Sequence, residues 1–340
     1  MTSATTTQAR DIGDGIHRIP VPVADLPVGD TQVYALESPR GVILVDVGWN
    51  DDNSWAALQA GLAAAGLSVT DVEGVVVTHF HPDHVGLTGR IREASGCWVG
   101  MHEADFGHLE VMVSDRDRRA EEAALLRLAG APDAEVDAVF AFDGTPPGRP
   151  EVLPDRKLAA DEIIPLAGRS LRTVFTPGHT AGHACFLIED HGVLFSGDHV
   201  LATTTPHVGE FDFPLPKRDA LGEYLESLRA VSGLPVRRTL PAHRQEIDDL
   251  GARAAALIAH HDRRLDDLYD SFGDEELTMW EATSRMTWYR PWDETPTHGK
   301  RMALSEGSAH VRQLIERGRV RRIPGTEPAR FARIEAEVGV

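Results

Sequence analysis

Thr78-His79-Phe80-His81-Pro82-Asp83-His84 directly follows the apolar run Val75-Val76-Val77, and its reading decides how the rest of the chain is understood. Between residues 79 and 84 it gathers three imidazoles and one carboxylate. Imidazole and carboxylate together are ligands for zinc, iron and manganese, and no thiolate stands beside them. The apolar run predicts a strand that carries this group to its own end, and Pro82 predicts a turn that reverses the chain. His79 and His81 are two apart, so on an extended backbone their side chains point the same way. Asp83 and His84, beyond the proline, approach from another direction.

Further imidazoles and carboxylates stand at the same kind of place, where an apolar run gives way to turn residues. Asp46 closes the run Val42–Val45, His179 follows Leu171–Phe175 through Thr176-Pro177-Gly178, Asp198 ends Val193–Gly197, and His243 ends Thr239–Ala242. The glycines and prolines beside them let the backbone turn sharply, so each side chain can enter a shared cleft.

The 340-residue chain is long enough for one large domain and a smaller one, and 42% hydrophobic with 26% charged residues is an ordinary globular balance. No apolar run reaches about 18 residues, so no membrane span is expected. Residues 1–11 read as a disordered lead-in, lacking the basic start and apolar middle of a signal peptide. Cys97 and Cys185, the two cysteines, sit in apolar strand-like surroundings. They are expected as buried thiols in a reducing cytoplasm. A net charge of −19 argues against a general grip on nucleic acid. That charge is uneven: residues 251–340 hold 14 basic and 15 acidic groups, the first 250 hold 20 and 38, which points to a boundary near residue 250.

Up to Met101 the pattern alternates: strands at Ile16–Ile19, Thr31–Leu36 and Val42–Val47, a helix from Ser54 as N-cap to Gly66, a strand at Val72–Val77, a helix at Val85–Ala94, and a strand at Cys97–Met101. Residues 103–141 change to helical patterning and read as an insertion. Short strands resume from Glu151 through Leu187 and at Val193–Phe195, followed by a helix at Ala220–Val231 and a strand tip at Arg238–Leu240. Beyond residue 248 three helices are expected, Leu250–Tyr269, Leu277–Met286 capped by Thr278 with Glu281 three residues on, and Lys300–Gly318, before a short strand at Arg319–Ile323. That order is winged-helix-like.

His79-x-His81-x-Asp83-His84, His179, Asp198 and His243, with Asp46 upstream, resemble the five ordered motifs of the metallo-β-lactamase-fold hydrolases. All seven ligand positions of that pattern are filled, between residues 12 and 248. The resemblance implies an α+β protein, an αββα sandwich with two metals at one edge. It implies that His79, His81 and His179 hold one ion, that Asp83, His84 and His243 hold the other, and that Asp198 bridges both. Asp46 would orient a ligand imidazole. Zinc is the expected pair of ions, with iron or manganese as the alternatives. A metal-bound hydroxide would then attack a small ester, thioester or lactone, with Asp83 or Asp198 handling the proton. A phosphodiesterase or ribonuclease, a β-lactam hydrolase, and more remotely a winged-helix regulator are the competing readings. The C-terminal tail resembles the winged-helix appendage of lactamase-β-like proteins, with a basic patch at Arg317, Arg319, Arg321 and Arg322.

Trp49 and His207 are expected to touch substrate, while His183 and His199 read as structural and His102 and His108 as surface residues. Trp55 reads as core packing. The insertion is expected to form a lid or, alternatively, a homodimer contact.

Overall fold

The computed structural model describes residues 9–23, 29–114, 117–141 and 148–334. Residues 1–8 of the expected lead-in and residues 142–147, before the strands that resume at Glu151, lie outside them. The chain opens with β1 (Arg10–Asp11), β2 (Ile16–Val21), β3 (Thr31–Ser38) and β4 (Gly41–Val45), then α1 (Asp52–Ala64) and β5 (Val72–Val76). The histidine-rich stretch follows and forms the single-turn α2 (Pro82–Val85). After it come α3 (Thr88–Ser95), β6 (Trp98–His102), α4 (Phe106–Val113), α5 (Arg119–Leu128), α6 (Asp133–Ala141) and β7 (Arg156–Leu158). A second run of strands, β8 (Ile163–Leu166), β9 (Arg169–Phe175), β10 (Ala184–Ile188) and β11 (Val193–Gly197), leads through α7 (Ala220–Ser232) to β12 (Arg238–Pro241). The remainder is α8 (Leu250–Ser271), β13 (Leu277–Thr278), α9 (Met279–Ser284), α10 (Thr297–Glu316), β14 (Val320–Ile323) and β15 (Arg330–Arg333).

Strands β1 to β7 lie in sequence order in one seven-stranded sheet, and β12-β11-β10-β9-β8 form a five-stranded one. Alternate residues of the first sheet serve opposite faces, as the period of two requires. Val33, Ala35, Val42, Leu44, Val75 and Val77 pack with Leu58, Leu62 and Ile91 of the helices. Tyr34, Leu36, Ile43, Val45 and Val76 pack against Leu171, Phe186, Ile188, Val193, Phe195 and Leu240 of the second sheet. Both faces of the central strands are buried, which is why they read as continuous apolar runs and not as alternating ones. This is the metallo-beta-lactamase fold, of the α+β class, with a helical C-terminal region.

Contacts divide the chain into two compact units. One is Met1–Asp115, Thr145–Pro206 and Ser227–Ala254; the other is Arg116–Gly144, His207–Glu226 and Ala255–Val340. In the second, β13-β15-β14 make a three-stranded antiparallel sheet beside α9 and α10. The expected helix at Leu277–Met286 loses its first two residues to β13. Thr278 is extended and caps α9 reciprocally with Glu281, so it ends a strand and starts a helix at once. Strand β15 has no counterpart among the expected elements, because Arg330-Phe331-Ala332-Arg333 is too short and too basic to show a period.

Ser54 is not the cap of α1. Asp51 is extended there and its carboxylate accepts from Ser54 N–H, while the Ser54 hydroxyl donates to Pro22 O. Gly66 does end the element, with φ 75°. Cys97 and Cys185 are both buried and free. No helix among the described residues is long and apolar enough to cross a membrane.

Candidate metal centre

The topology explains why distant residues meet. β4 and β5 are parallel, as are β11 and β12, and β9 and β11 flank β10 in the same antiparallel sense. The C-terminal ends of β4 and β5 therefore lie side by side, and so do those of β9, β11 and β12. Asp46, the His79–His84 stretch, His179, Asp198 and His243 each follow one of these ends. The chain turns abruptly there: Asp46 and Arg244 take left-handed backbone at φ 55° and 66°. Gly197 has φ 51°, and a Cβ on it would stand 2.7 Å from His183 Nε2 and 2.8 Å from Thr78 Cβ. Only glycine lets Asp198 come this close.

His79 Nε2, His81 Nδ1 and His179 Nε2 converge, at 2.8 Å for the first pair and 3.1 Å for the other two. Zinc held tetrahedrally by nitrogens at about 2.0–2.1 Å would set them about 3.3 Å apart, so the three nitrogens are spaced as ligands of one ion. Burial, and then the neighbouring imidazoles, hold His79 well below its ordinary pKa, so its lone pair is available. The Thr78 hydroxyl donates to Asp46 Oδ2 at 3.0 Å, which leaves its oxygen to accept from His79 Nδ1–H at 3.0 Å. That tautomer turns His79 Nε2 into the cluster.

The second set is acidic. Asp83 Oδ2 lies 3.6 Å from His84 Nε2 and 3.3 Å from His243 Nε2. Each ring is oriented from behind: His84 Nδ1–H donates to Asp46 Oδ2 at 2.9 Å, and His243 Nδ1–H to Asp30 O at 3.1 Å. Asp198 stands between the sets, with Oδ2 3.8 Å from His179 Nε2 and 3.7 Å from His84 Nε2, and Oδ1 3.4 Å from His243 Nε2. His84 Nε2, His243 Nε2 and Asp198 Oδ1 are buried without a hydrogen-bond partner. Each such orphan costs about 1–3 kcal/mol, which a cation at the centre would remove. Burial works against a charge on His84, but the carboxylates of Asp83, Asp46 and Asp198 outweigh it and raise its pKa. Burial likewise pushes Asp83 up, and His84 and His243 outweigh that and hold it well below the carboxylate range. The same field that keeps a proton on His84 would favour a divalent cation there. His79, His81 and His179, His79, His84 and Asp198, and Asp83, His84 and His243 are each grouped closely enough to hold an ion.

All eight residues of the motif pattern, Asp46 included, are thus brought together. His183 Nε2 accepts from Asp198 N–H at 3.2 Å and its Nδ1 lies 2.8 Å from Thr176 Oγ1, so it steadies the Asp198 turn. His199 is buried. Trp55 packs on the core. Exposed His108 stacks on Phe80, and His102 on Phe175, with ring centroids 4.9 and 4.1 Å apart. Trp49 lays its indole on Gly148, where a Cβ has no room. His207 Nε2 lies 2.9 Å from Ser305 Oγ and 3.2 Å from Met302 O on α10, within the second unit. Two residues escape a reading of the sequence. Thr78 joins Asp46 to His79 as described, and Asp105 accepts from Phe80 N–H, the Thr180 hydroxyl and Gly182 N–H. The signal that could have found Asp105 is its place just beyond β6, a strand parallel to β5 and so ending on the same edge.

The family model of the metallo-beta-lactamase superfamily matches residues 26–243. Among solved structures, a metallo-beta-lactamase family protein from Thermus thermophilus is 30% identical with a TM-score of 0.78, over 95% of this chain and 100% of its own. A beta-lactamase domain protein from Burkholderia ambifaria is 25% identical with a TM-score of 0.82, over 97% of both chains. Among curated proteins, the lactamase-like protein adaB of Aspergillus niger is 27% identical over 235 residues, 69% of this chain and 56% of its own length. The chain thus spans about half the length of that relative. With most of its length matched by the family model and its imidazoles and carboxylates gathered at the sheet edge, the chain belongs to the metallo-beta-lactamase superfamily.

Proposed function

We propose that the chain is a two-metal hydrolase that cleaves a small ester, thioester or lactone. The observation that carries this is Asp198, whose carboxylate lies within 3.8 Å of imidazoles of both donor sets. On this reading His79, His81 and His179 would hold one ion and Asp83, His84 and His243 the other, with the Asp198 carboxylate within reach of both sets. Zinc suits the donors first, and iron(II) or manganese are also compatible with imidazole and carboxylate. When bound, such ions would supply Lewis acidity, lowering the pKa of a water towards neutrality and polarising a scissile carbonyl. Asp46 and Thr78 hold His84 and His79 in the tautomers that present Nε2. Asp83, kept ionised by its histidine neighbours, and Asp198 are the two groups placed to orient a nucleophile and take its proton.

The choice of substrate rests on chemistry at the rim and on charge. The Phe80 ring lies 4.8 Å from that of His81 and stacks on His108, an aromatic surface suited to the carbon skeleton of an organic acid derivative. The first 250 residues hold 20 basic against 38 acidic groups, which disfavours a polyanion. An oxygen donor at Asp198, in place of a thiolate, makes β-lactam cleavage the weaker alternative. In the C-terminal unit the order helix, strand, helix, helix, strand, strand supports a winged-helix-like module. Arg317 and Arg319 of its basic patch are paired with Asp262 and Asp266 at 3.0 and 2.6 Å, which favours a packing role over nucleic-acid binding.

The test is a panel of p-nitrophenyl ester, thioester, lactone, nitrocefin and bis-p-nitrophenyl phosphate with the zinc-loaded chain. Turnover of the first three classes that disappears in His81→Ala supports the proposal. Turnover of the phosphodiester alone overturns the substrate class, and full activity in His81→Ala overturns the site.

A further inference from the structure

We propose that Asp105 is a positioning residue that sets the spacing of the first donor set, His79, His81 and His179; this rests on the two-metal reading above. Asp105 is fully buried, just after β6. Its Oδ2 accepts from Phe80 N–H at 3.2 Å and from the Thr180 hydroxyl at 2.7 Å, and its Oδ1 from Gly182 N–H at 2.5 Å. Phe80 is the residue between His79 and His81, and Thr180 is the residue after His179. One carboxylate therefore grips both donor-bearing loops, each at a position adjacent to a donor.

Packing alone does not call for a charge here. An apolar residue of similar size would fill the space without the desolvation cost of a carboxylate, so the acid persists through its charge-assisted hydrogen bonds. The close approach is built in on the other side as well. A Cβ on Gly182 would stand 2.6 Å from Asp105 N and 2.8 Å from its Cγ, so no larger residue lets that loop reach the carboxylate. The rings of the second set have separate orienting groups, Asp46 for His84 and the Asp30 carbonyl for His243. The Asp105 carboxylate serves the first set, whose ring nitrogens must stay within about 3 Å of one another.

The prediction is selective. Zinc affinity is measured by competition with a chromogenic chelator in two backgrounds, His243→Ala, which leaves the first set intact, and His179→Ala, which leaves the second. Asp105→Asn should weaken zinc binding about 10–100-fold in the His243→Ala background and leave the His179→Ala background within about twofold. Thr180→Val, which removes only the hydroxyl donor at nearly constant volume, should weaken the same set about tenfold and serves if Asp105→Asn fails to fold. Equal weakening in both backgrounds means a merely structural role and overturns the proposal, as does unchanged affinity in both. If the unsubstituted chain binds no zinc at all, the two-metal reading fails instead, so the two failures are told apart.

Discussion

The centre hangs on short polar residues at strand ends. Asp46 accepts from Thr78 N–H, the Thr78 hydroxyl and His84 Nδ1–H at 2.8, 3.0 and 2.9 Å, and it does so from a left-handed backbone. Asp46→Ala should therefore weaken zinc binding about 10–100-fold without removing any donor, as chelator competition would show; an unchanged affinity would mean that His84 is held by something else. Gly197→Ala forces a Cβ against His183 and Thr78 at φ 51° and should destabilise the fold by about 1–3 kcal/mol, read from denaturant unfolding. The candidate donors are legible in the sequence because imidazoles and carboxylates recur there just where apolar runs end. Asp105 is not, because its partners, two backbone amides and the Thr180 hydroxyl, lie 25, 75 and 77 positions away, and its place just beyond β6 is the one local mark it carries.

The elements differ in how much of their cause is local. Thr278 and Glu281 cap α9 reciprocally, a signal fully contained in four residues, and the sequence alone predicts it. Thr278→Ala should cost about 1 kcal/mol in thermal or denaturant unfolding, and a change near zero would show that β13 and not the cap holds this end. The cap of α1 lies three residues before the expected one because Asp51 and Ser54 are both good caps, and only the tertiary bond from Ser54 to Pro22 O decides between them. Helices α8 and α10 meet through His261 and His310, whose Nδ1 and Nε2 lie 3.3 Å apart in the core of the second unit. Burial above all lowers His310 to about 4. Below the ordinary value of about 6.5 the unfolded chain takes up a proton that the folded one refuses, so stability is lost as pH falls from there towards 4. The loss for this one group is about 3 kcal/mol, and His310→Asn should flatten that part of the stability profile.

At the scale of the whole molecule, two sheets packed face to face place donors from four strand ends, and the orienting Asp46 from a fifth, at one edge, although those residues span positions 46 to 243. The alternation of the first half and its apolar runs make that architecture readable, whereas the grouping of residues 116–144 with the C-terminal residues depends on contacts no periodicity encodes. If bound ions satisfy the buried orphans at the centre, they bind the folded chain alone, and ligand at a hundredfold excess over its dissociation constant adds about 2.7 kcal/mol per site. Chelation should accordingly lower the melting temperature of the loaded chain, and the shift should halve in His243→Ala. The most direct measurement is metal content after zinc loading and dialysis, by elemental analysis on chains shown to be folded. The two-set centre predicts about two equivalents in the unsubstituted chain and about one in each of His179→Ala and His243→Ala; a folded chain that retains no metal, or one whose content is the same in all three proteins, would contradict it.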